Sequence, residues 1–455
     1  MSYQNVNVDN ITTSEITPEP VPAKKSFFAA FTEDIWAVTI GGFVIIAILL
    51  LTTLVTGFKL QLPVYQWANT SDLIGKVLSL KNMLLILQTG LIILVLSGTA
   101  IGLSGGSIRN FAVGFSLIYV LAIVAQVIAG NKLVDYYGLE YVIFALVLGL
   151  LFGNVIKLPD WLKEAARSEF FIKTGLIILG AGTLFTDIIK AGMPGLLQSV
   201  LVVSVVWFVA LWISRKLKVD DEFGVILASA VAICGVSAAI VAAGAIKGDK
   251  KKLSYVTTLV LLVAVPMMIL QPWLIKILHM PEIVGGAWLG GTLDTTATVS
   301  AAAELVGEKA AKAGVIVKFS QNVLIGVAAF FIAIWWTYRK NGASKTTEKP
   351  GIGVVWERFP KFVLGFVAAS LIFSFLIPAT LTANVGGTLK GLRTVWFSLA
   401  FVSIGLEARF GDLVKTEGGR PALAFIGAQF FNVLWTLLWA YLLFGGILFP
   451  VPDIK

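Results

Sequence analysis

The chain has 455 residues, 57% hydrophobic and 13% charged, with a formal net charge of +9 and a mean hydropathy of +0.89. That balance excludes a soluble globular domain, in which every long apolar run would need burial on all sides. It fits a polytopic helical membrane protein lying in a lipid bilayer. The excess of Lys and Arg does not point to nucleic acid, because these residues cluster in short loops between apolar segments, as cytoplasmic loops do.

In chain order, residues 1–30 are polar and rich in Pro and Thr, and read as a disordered cytoplasmic tail rather than a cleavable signal. Apolar segments long enough for a hydrocarbon core of about 30 Å follow near 35–57, 83–103, 110–130, 139–156, 170–190, 195–214, 254–278, 313–337, 360–379, 391–408 and 421–449. The organisation expected is extra N-terminal membrane helices over 31–109 and a transporter core over 110–338, which holds a first repeat and both interrupted helices. A cytoplasmic loop over 339–358, carrying Arg339, Lys340, Lys345, Lys349 and Arg358, precedes the remaining core helices of a second repeat over 359–455.

Two further apolar stretches are broken. Leu227–Lys247 is interrupted by Ala232-Ile233-Cys234-Gly235-Val236-Ser237-Ala238, and Ala287–Gly307 by Gly290-Gly291-Thr292-Leu293-Asp294-Thr295-Thr296. Irregular backbone survives at membrane depth only where protein or a water-filled cavity satisfies its N–H and C=O groups. A pair of interrupted segments in matching positions is the sequence signature of a transporter's binding site.

Internal matches support a repeat. Gly180, Phe185, Asp187 and Lys190 share the spacing of Gly405, Phe410, Asp412 and Lys415, while Ser237, Ala238, Ala242, Ala243 and Gly248 align with Thr296, Ala297, Ala301, Ala302 and Gly307. Full crossings of both broken segments would place Lys247, Lys250, Lys251 and Lys252 outside. Re-entrant hairpins keep them, with Arg215–Lys218, on the cytoplasmic side, in accord with the positive-inside tendency. Hairpins entering from opposite faces, with the N-terminus inside, are therefore expected.

Among candidate site residues, Asp294 lies in an apolar stretch, where a charge costs about 2.5–3.5 kcal/mol on insertion scales. It reads either as a ligand for a coupling cation (with Thr295) or a proton-accepting carboxyl, or as the cap of a half-helix. Cys234, Gly235, Val236, Ser237 and Ala238 would bring a half-helix N-terminus to mid-membrane, where free N–H groups and the Ser237 hydroxyl favour an anion; the alternative is a small-residue packing face. Lys318, Gln321 and Asn322 share one helix face, with Lys318 either an anion partner in the cavity or snorkelling to the interface. Asp187, Lys190, Glu407 and Arg409 are expected at the interface, and His279 in a loop. One cysteine excludes an intrachain disulfide, a single histidine leaves no His-based metal site, and no Walker-type loop, HExxH or GxSxG motif points to an enzyme.

The Ala232–Ala238 stretch, Gly285–Thr292 continuing through Asp294-Thr295-Thr296-Ala297, Val317-Lys318 before Asn322, and Gly405-Leu406-Glu407 to Asp412 resemble the YeiH-type sulfate exporter family over about residues 110–449. That family is grouped with the bile-acid symporter and cation–proton antiporter folds. The resemblance implies inverted repeats, broken helices at the site, an elevator-like or rocking alternating-access mechanism and, by analogy, a homodimer. The chain departs from the family in its two extra N-terminal spans. It also has Asp294-Thr295 where the family has a His followed by an acid, and Gln321 where a basic residue precedes the Asn.

The function expected is secondary active transport of a small anion (sulfate, sulfite or an organosulfonate) in the inner (cytoplasmic) membrane. No cofactor is expected beyond Na⁺ or H⁺ as coupling ion. The rivals are a cation–proton antiporter using Asp294 and an ion channel.

Overall fold

A computed structural model describes residues 31–55, 60–136, 140–155, 158–340, 360–408 and 419–454. The expected tail 1–30, residues 341–358 of the expected loop, Arg409, and the repeat positions Phe410, Asp412 and Lys415 lie outside the described residues. Among the described residues the chain is all-α, with an isolated bridge between Trp67 and Asn131.

The long helices are α1 (Glu33–Leu54), α2 (Leu80–Leu103), α3 (Ile108–Ala129), α4 (Tyr141–Val155), α5 (Ser168–Ala181) and α6 (Phe185–Lys216). The first broken segment consists of α7 (Asp221–Ser229), a π-helical turn (Ala230–Cys234) and α8 (Gly235–Ile246), and leads into α9 (Lys250–Ile277). The second comprises α10 (Glu282–Thr292) and α11 (Thr296–Val306), followed by α12 (Glu308–Lys340), α13 (Lys361–Phe375), α14 (Ala379–Glu407) and α15 (Arg420–Phe444). Apolar faces pointing outward, such as Phe43, Ile46 and Leu50 of α1 or Phe430 and Leu434 of α15, suit lipid as the surrounding solvent.

One expected span is corrected. Residues 170–190 do not form one helix: α5 ends at Ala181 and α6 starts at Phe185, with Leu184 extended at φ −67°, ψ 138°. The break is held by serines of α13. Ser370 Oγ donates to Thr183 O at 2.5 Å, and the Phe185 N–H donates to Ser374 Oγ at 2.8 Å.

Both broken segments are hairpins. Taken by length and composition, Asp221–Ile246 is apolar enough to cross a membrane over its 26 residues, and as one straight helix its ends would lie about 39 Å apart. They meet instead. Lys252 Nζ lies 2.9 Å from Asp220 Oδ2 and 3.1 Å from Glu222 Oε2, and the Asp249 N–H donates to Glu222 Oε1. At the second segment, Gly307 closes on the start of α10: a Cβ there would stand 2.6 Å from Glu282 Oε2. The mouth of the first hairpin adjoins the N-terminus of α9 and that of the second adjoins its C-terminus. Since α9 has 28 residues, about 42 Å of helix, the hairpins enter from opposite ends of the molecule.

Packing sorts the helices into two groups. α1–α5, α13 and α14 pack chiefly among themselves, with α14 against α4 and α5, and α5 against α1 and α13; α6–α12 and α15 form the other group, with α12 gripping both hairpins. Between the groups the contacts are sparse, and α11 makes most of them, against α4, α5 and α14. The glycines of the first internal match lie at close helix crossings. A Cβ on Gly405 of α14 would stand 2.5 Å from Leu146 O, and one on Gly180 of α5 would stand 2.5 Å from Phe366 O. The stretches of the second match are the returning arms, α8 and α11.

Candidate functional site at the hairpin tips

The tips meet deep inside the protein. Gly235, at the turn of the first hairpin, has φ +36°, a region open mainly to glycine. A Cβ there would lie 2.7 Å from Val260 Cγ1, 3.0 Å from Asp294 O and 3.1 Å from Asp294 Cβ. Position 235 is therefore glycine for two reasons, its backbone angle and the second tip pressed against it.

Breaking a helix at membrane depth frees backbone carbonyls, and the fold supplies donors for them. Lys318 of α12, 1% exposed, donates to Ile233 O, Leu293 O and Gln321 Oε1, each at 2.8 Å. All three ammonium protons are thus used, and one side chain ties the two tips together. Gln321 Nε2 donates to Ala232 O at 2.9 Å and to Gly291 O at 3.4 Å. From the opposite side α15 contributes Gln429, donating to Thr292 O at 2.8 Å, and Asn432, donating to Val231 O at 3.3 Å and Thr292 O at 3.4 Å. On α6, Gln198 donates to Ala287 O at 2.8 Å.

The charges follow the half-helix dipoles. Lys318 sits at the carbonyl ends of the two incoming arms, where a cation is favoured, and Asp294 sits beside Gly235 at the amino end of α8, where an anion is favoured. The α8 N-terminus has no side-chain cap, whereas α11 caps itself: Thr295 Oγ1 accepts from the Thr298 N–H, and Thr298 Oγ1 from the Thr295 N–H. The capping role open to Asp294 in the sequence therefore belongs to Thr295. Asp294 is 2% exposed; neither carboxylate oxygen makes a close, aligned hydrogen bond, and it interacts with the Lys318 ammonium and the Gln429 amide. Thr296 Oγ1 accepts from Asn322 Nδ2 at 3.0 Å.

The structure brings Cys234, Gly235, Asp294, Thr295, Thr296, Lys318, Gln321 and Asn322 to one buried place. Lys318 does not snorkel. Ala238 packs on the buried face of α8, Val236 is half-buried, and Ser237 is exposed on the same outward face as Ile240, about 200° round the helix from Gly235. Outside the tips, Lys190 lies 3.8 Å from Asp453 and His279 is an exposed turn residue at φ +50°. Asp187 lies in the first turn of α6, at a helix end, and is 1% exposed. Glu407 is half-buried, accepting from the Ser168 N–H at 3.1 Å and from Ser168 Oγ at 2.7 Å.

Gln198, Gln429 and Asn432 were not legible as site residues. Their one signal is an amide pair three residues apart, Gln429 and Asn432, inside an otherwise apolar helix, the same kind of signal that marks Lys318 and Gln321.

Fold and site together define an all-α, multi-pass membrane protein built around two opposed re-entrant hairpins. The chain belongs to the family described as Conserved hypothetical protein 698, whose model matches residues 113–424. The YeiH-type resemblance agrees with this. Similar proteins include UPF0324 membrane proteins of Rhodopirellula baltica (40% identical, covering 79% of this chain and 68% of the relative) and Nitratidesulfovibrio vulgaris (38%, covering 77% and 62%). A third, of Nitrosomonas europaea, is 29% identical over 88% of this chain and 93% of its own length. The match thus spans under two thirds of the N. vulgaris relative. No solved structure matches.

Proposed function

We propose that the protein is a secondary active transporter of a small anion, of the sulfate, sulfite or organosulfonate class, working by alternating access across the cytoplasmic membrane with its N-terminus inside. The observation that carries this reading is the meeting of two opposed hairpin tips at a buried Lys318 and a buried Asp294 whose carboxylate makes no close, aligned hydrogen bond. A buried site of this kind suits a carrier that exposes it by moving, as alternating access requires. The sparse packing between the two helix groups suits movement of one group, carrying the tips, against the other, as the inverted-repeat, elevator-like reading requires.

The anion would take its donors from the uncapped N–H groups of α8 and from Lys318 once a tip carbonyl releases it. Asp294, beside those N–H groups, would repel the anion while ionised, so anion binding goes with a proton on Asp294. This favours H⁺ over Na⁺ as the coupling ion. A second reading rests on the same buried carboxylate: cation–proton antiport, in which Asp294 exchanges a proton for a cation without any anion.

The test is a thermal-shift screen of purified protein against sulfate, sulfite, thiosulfate, taurine and small carboxylates, in Na⁺ or K⁺ and at two pH values, for wild type and Asp294→Asn. A ligand of the folded state raises the melting temperature according to RT ln(1 + [L]/Kd). A sulfur-oxyanion shift that changes in Asp294→Asn supports anion transport. Shifts with cations alone replace it by the antiporter.

A further inference from the structure

A second cluster of charge lies where the two helix groups meet, at the end of the molecule that holds the mouth of the second hairpin. Arg393 Nη2 of α14 lies 3.2 Å from Glu304 Oε1 of α11, and Lys390 Nζ of α14 lies 3.1 Å from Glu308 Oε2 at the start of α12. Glu308 also meets Lys312 of its own helix at 3.4 Å. The Arg393 and Lys390 pairs join one helix group to the other.

These pairs leave donor capacity over. Glu304 Oε1 makes its contact without forming an aligned hydrogen bond, and Arg393, 7% exposed, has an Nε with no partner. Both Lys390 and Arg393 line a cavity of about 240 Å³, with Glu308, Thr382, Gly386 and Gly182. That space compares with about 30 Å³ for one water in the liquid. Thr382 Oγ1 on its wall also lacks a partner. Glu304 and Glu308 do not exhaust the donors of Arg393 and Lys390, since Arg393 Nε is left without a partner and each carboxylate meets one nitrogen of its cation. A guanidinium with a free edge beside an ammonium and a hydroxyl is a donor set for a tetrahedral or planar oxyanion.

We propose that this cavity is a separate anion subsite, taking a small oxyanion on Arg393 Nε, the Lys390 ammonium and the Thr382 hydroxyl. The choice of anion rests on the transport reading above; the site itself rests on this geometry. Because the same two cations hold Glu304 and Glu308, an anion in the cavity draws them away and weakens the ties between the helix groups. The cavity wall includes Gly182, in the Gly182–Leu184 stretch that joins α5 to α6 and so links the two groups covalently. Anion arrival at this end and freedom of the groups to move are thereby linked.

The test is equilibrium binding of radiolabelled sulfate to purified full-length protein, with gluconate holding ionic strength constant. Wild type is compared with Arg393→Gln, Arg393→Lys, Lys390→Gln and, at the hairpin tips, Asp294→Asn and Lys318→Gln. Lys390 is 60% exposed, so Lys390→Gln keeps the test valid if Arg393→Gln fails to fold. The expected result is at least tenfold weaker binding in Lys390→Gln and Arg393→Gln, several-fold weaker binding in Arg393→Lys, and a binding phase that survives both tip substitutions. Binding abolished at the tips but unchanged in Lys390→Gln and Arg393→Lys overturns the subsite and leaves the central reading standing. No binding of sulfate, phosphate or methanesulfonate by folded wild type overturns the subsite as well. Binding that depends on Lys390, in a protein that moves no anion into vesicles, upholds the subsite and removes the transport reading.

Discussion

Gly235 lies against Asp294 so closely that a Cβ on the glycine would stand 3.1 Å from the aspartate Cβ and 3.0 Å from its carbonyl oxygen. The two hairpin tips are thus in backbone contact, and the closure of the site depends on a missing side chain. Gly235→Ala is expected to separate the tips. It adds overpacking, of about 1–3 kcal/mol, to a residue at φ +36°, where a non-glycine costs of order 1–3 kcal/mol. A melting temperature several degrees below wild type, together with lost sulfate-dependent stabilisation, is expected by differential scanning fluorimetry. An unchanged melt would mean that the tips do not touch in the membrane.

Lys318 is a strut as well as a charge. Removing it as Lys318→Leu leaves Ile233 O, Leu293 O and Gln321 Oε1 without their donor, and each unsatisfied buried acceptor costs about 1–3 kcal/mol. Lys318→Gln keeps part of the donor set and is expected to melt between wild type and Lys318→Leu. If the two substitutions melt alike, the hydrogen bonds are not what holds the tips.

Asp294→Asn separates function from stability. The carboxylate makes no close, aligned hydrogen bond, so the amide gives up only the attraction of Lys318 and a weak contact with Gln429 while removing a buried charge, which is costly at membrane depth. With these two effects opposed, Asp294→Asn is expected to melt close to the wild-type temperature while anion uptake loses its dependence on the pH gradient. Uptake that keeps its pH dependence in this variant would place the coupling proton elsewhere.

How far the sequence reached depended on the kind of signal. The two breaks announced themselves because Gly, Ser and Thr interrupt long apolar runs, and the lysines at 247–252 argued for a hairpin through the positive-inside tendency. The structure agrees through Lys252, which reaches Asp220 and Glu222 across the mouth. Lys318 was visible as a charge on a membrane helix, but its direction was not, since a long side chain can point to the interface or inward with the same sequence. Ser237 looked equivalent to Thr296 by alignment, yet it faces outward while Thr296 is 4% exposed and bonded to Asn322; helix rotation within a tertiary packing is not written in spacing. Gln429 and Asn432 escaped because an amide pair on an apolar helix has no local partner to reveal it. The break after Ala181 escaped because what stabilises it, Ser370 and Ser374, lies nearly two hundred residues further along the chain.

The hairpin mouth gives a pH test outside the bilayer. Asp220 caps α7, with Oδ1 accepting from the Glu222 and Phe223 N–H groups at 2.9 and 3.1 Å and Oδ2 lying 2.9 Å from Lys252 Nζ. Partial burial pushes its carboxyl upward, but the Lys252 hydrogen bond and the two backbone N–H bonds outweigh this and hold it below the usual carboxylate range. A carboxyl depressed in the folded state stabilises the fold above its unfolded pKa, about 3.9, and that contribution is lost as pH falls through the folded value. Melting curves of wild type and Asp220→Asn should therefore differ by a constant amount from pH 7 down to about pH 5. The gap should then shrink below about pH 4, as wild type loses the charge that the variant never had. A gap that persists unchanged at pH 3 would mean that the cap acts through its shape and hydrogen-bonding alone, with no share from the ion pair to Lys252.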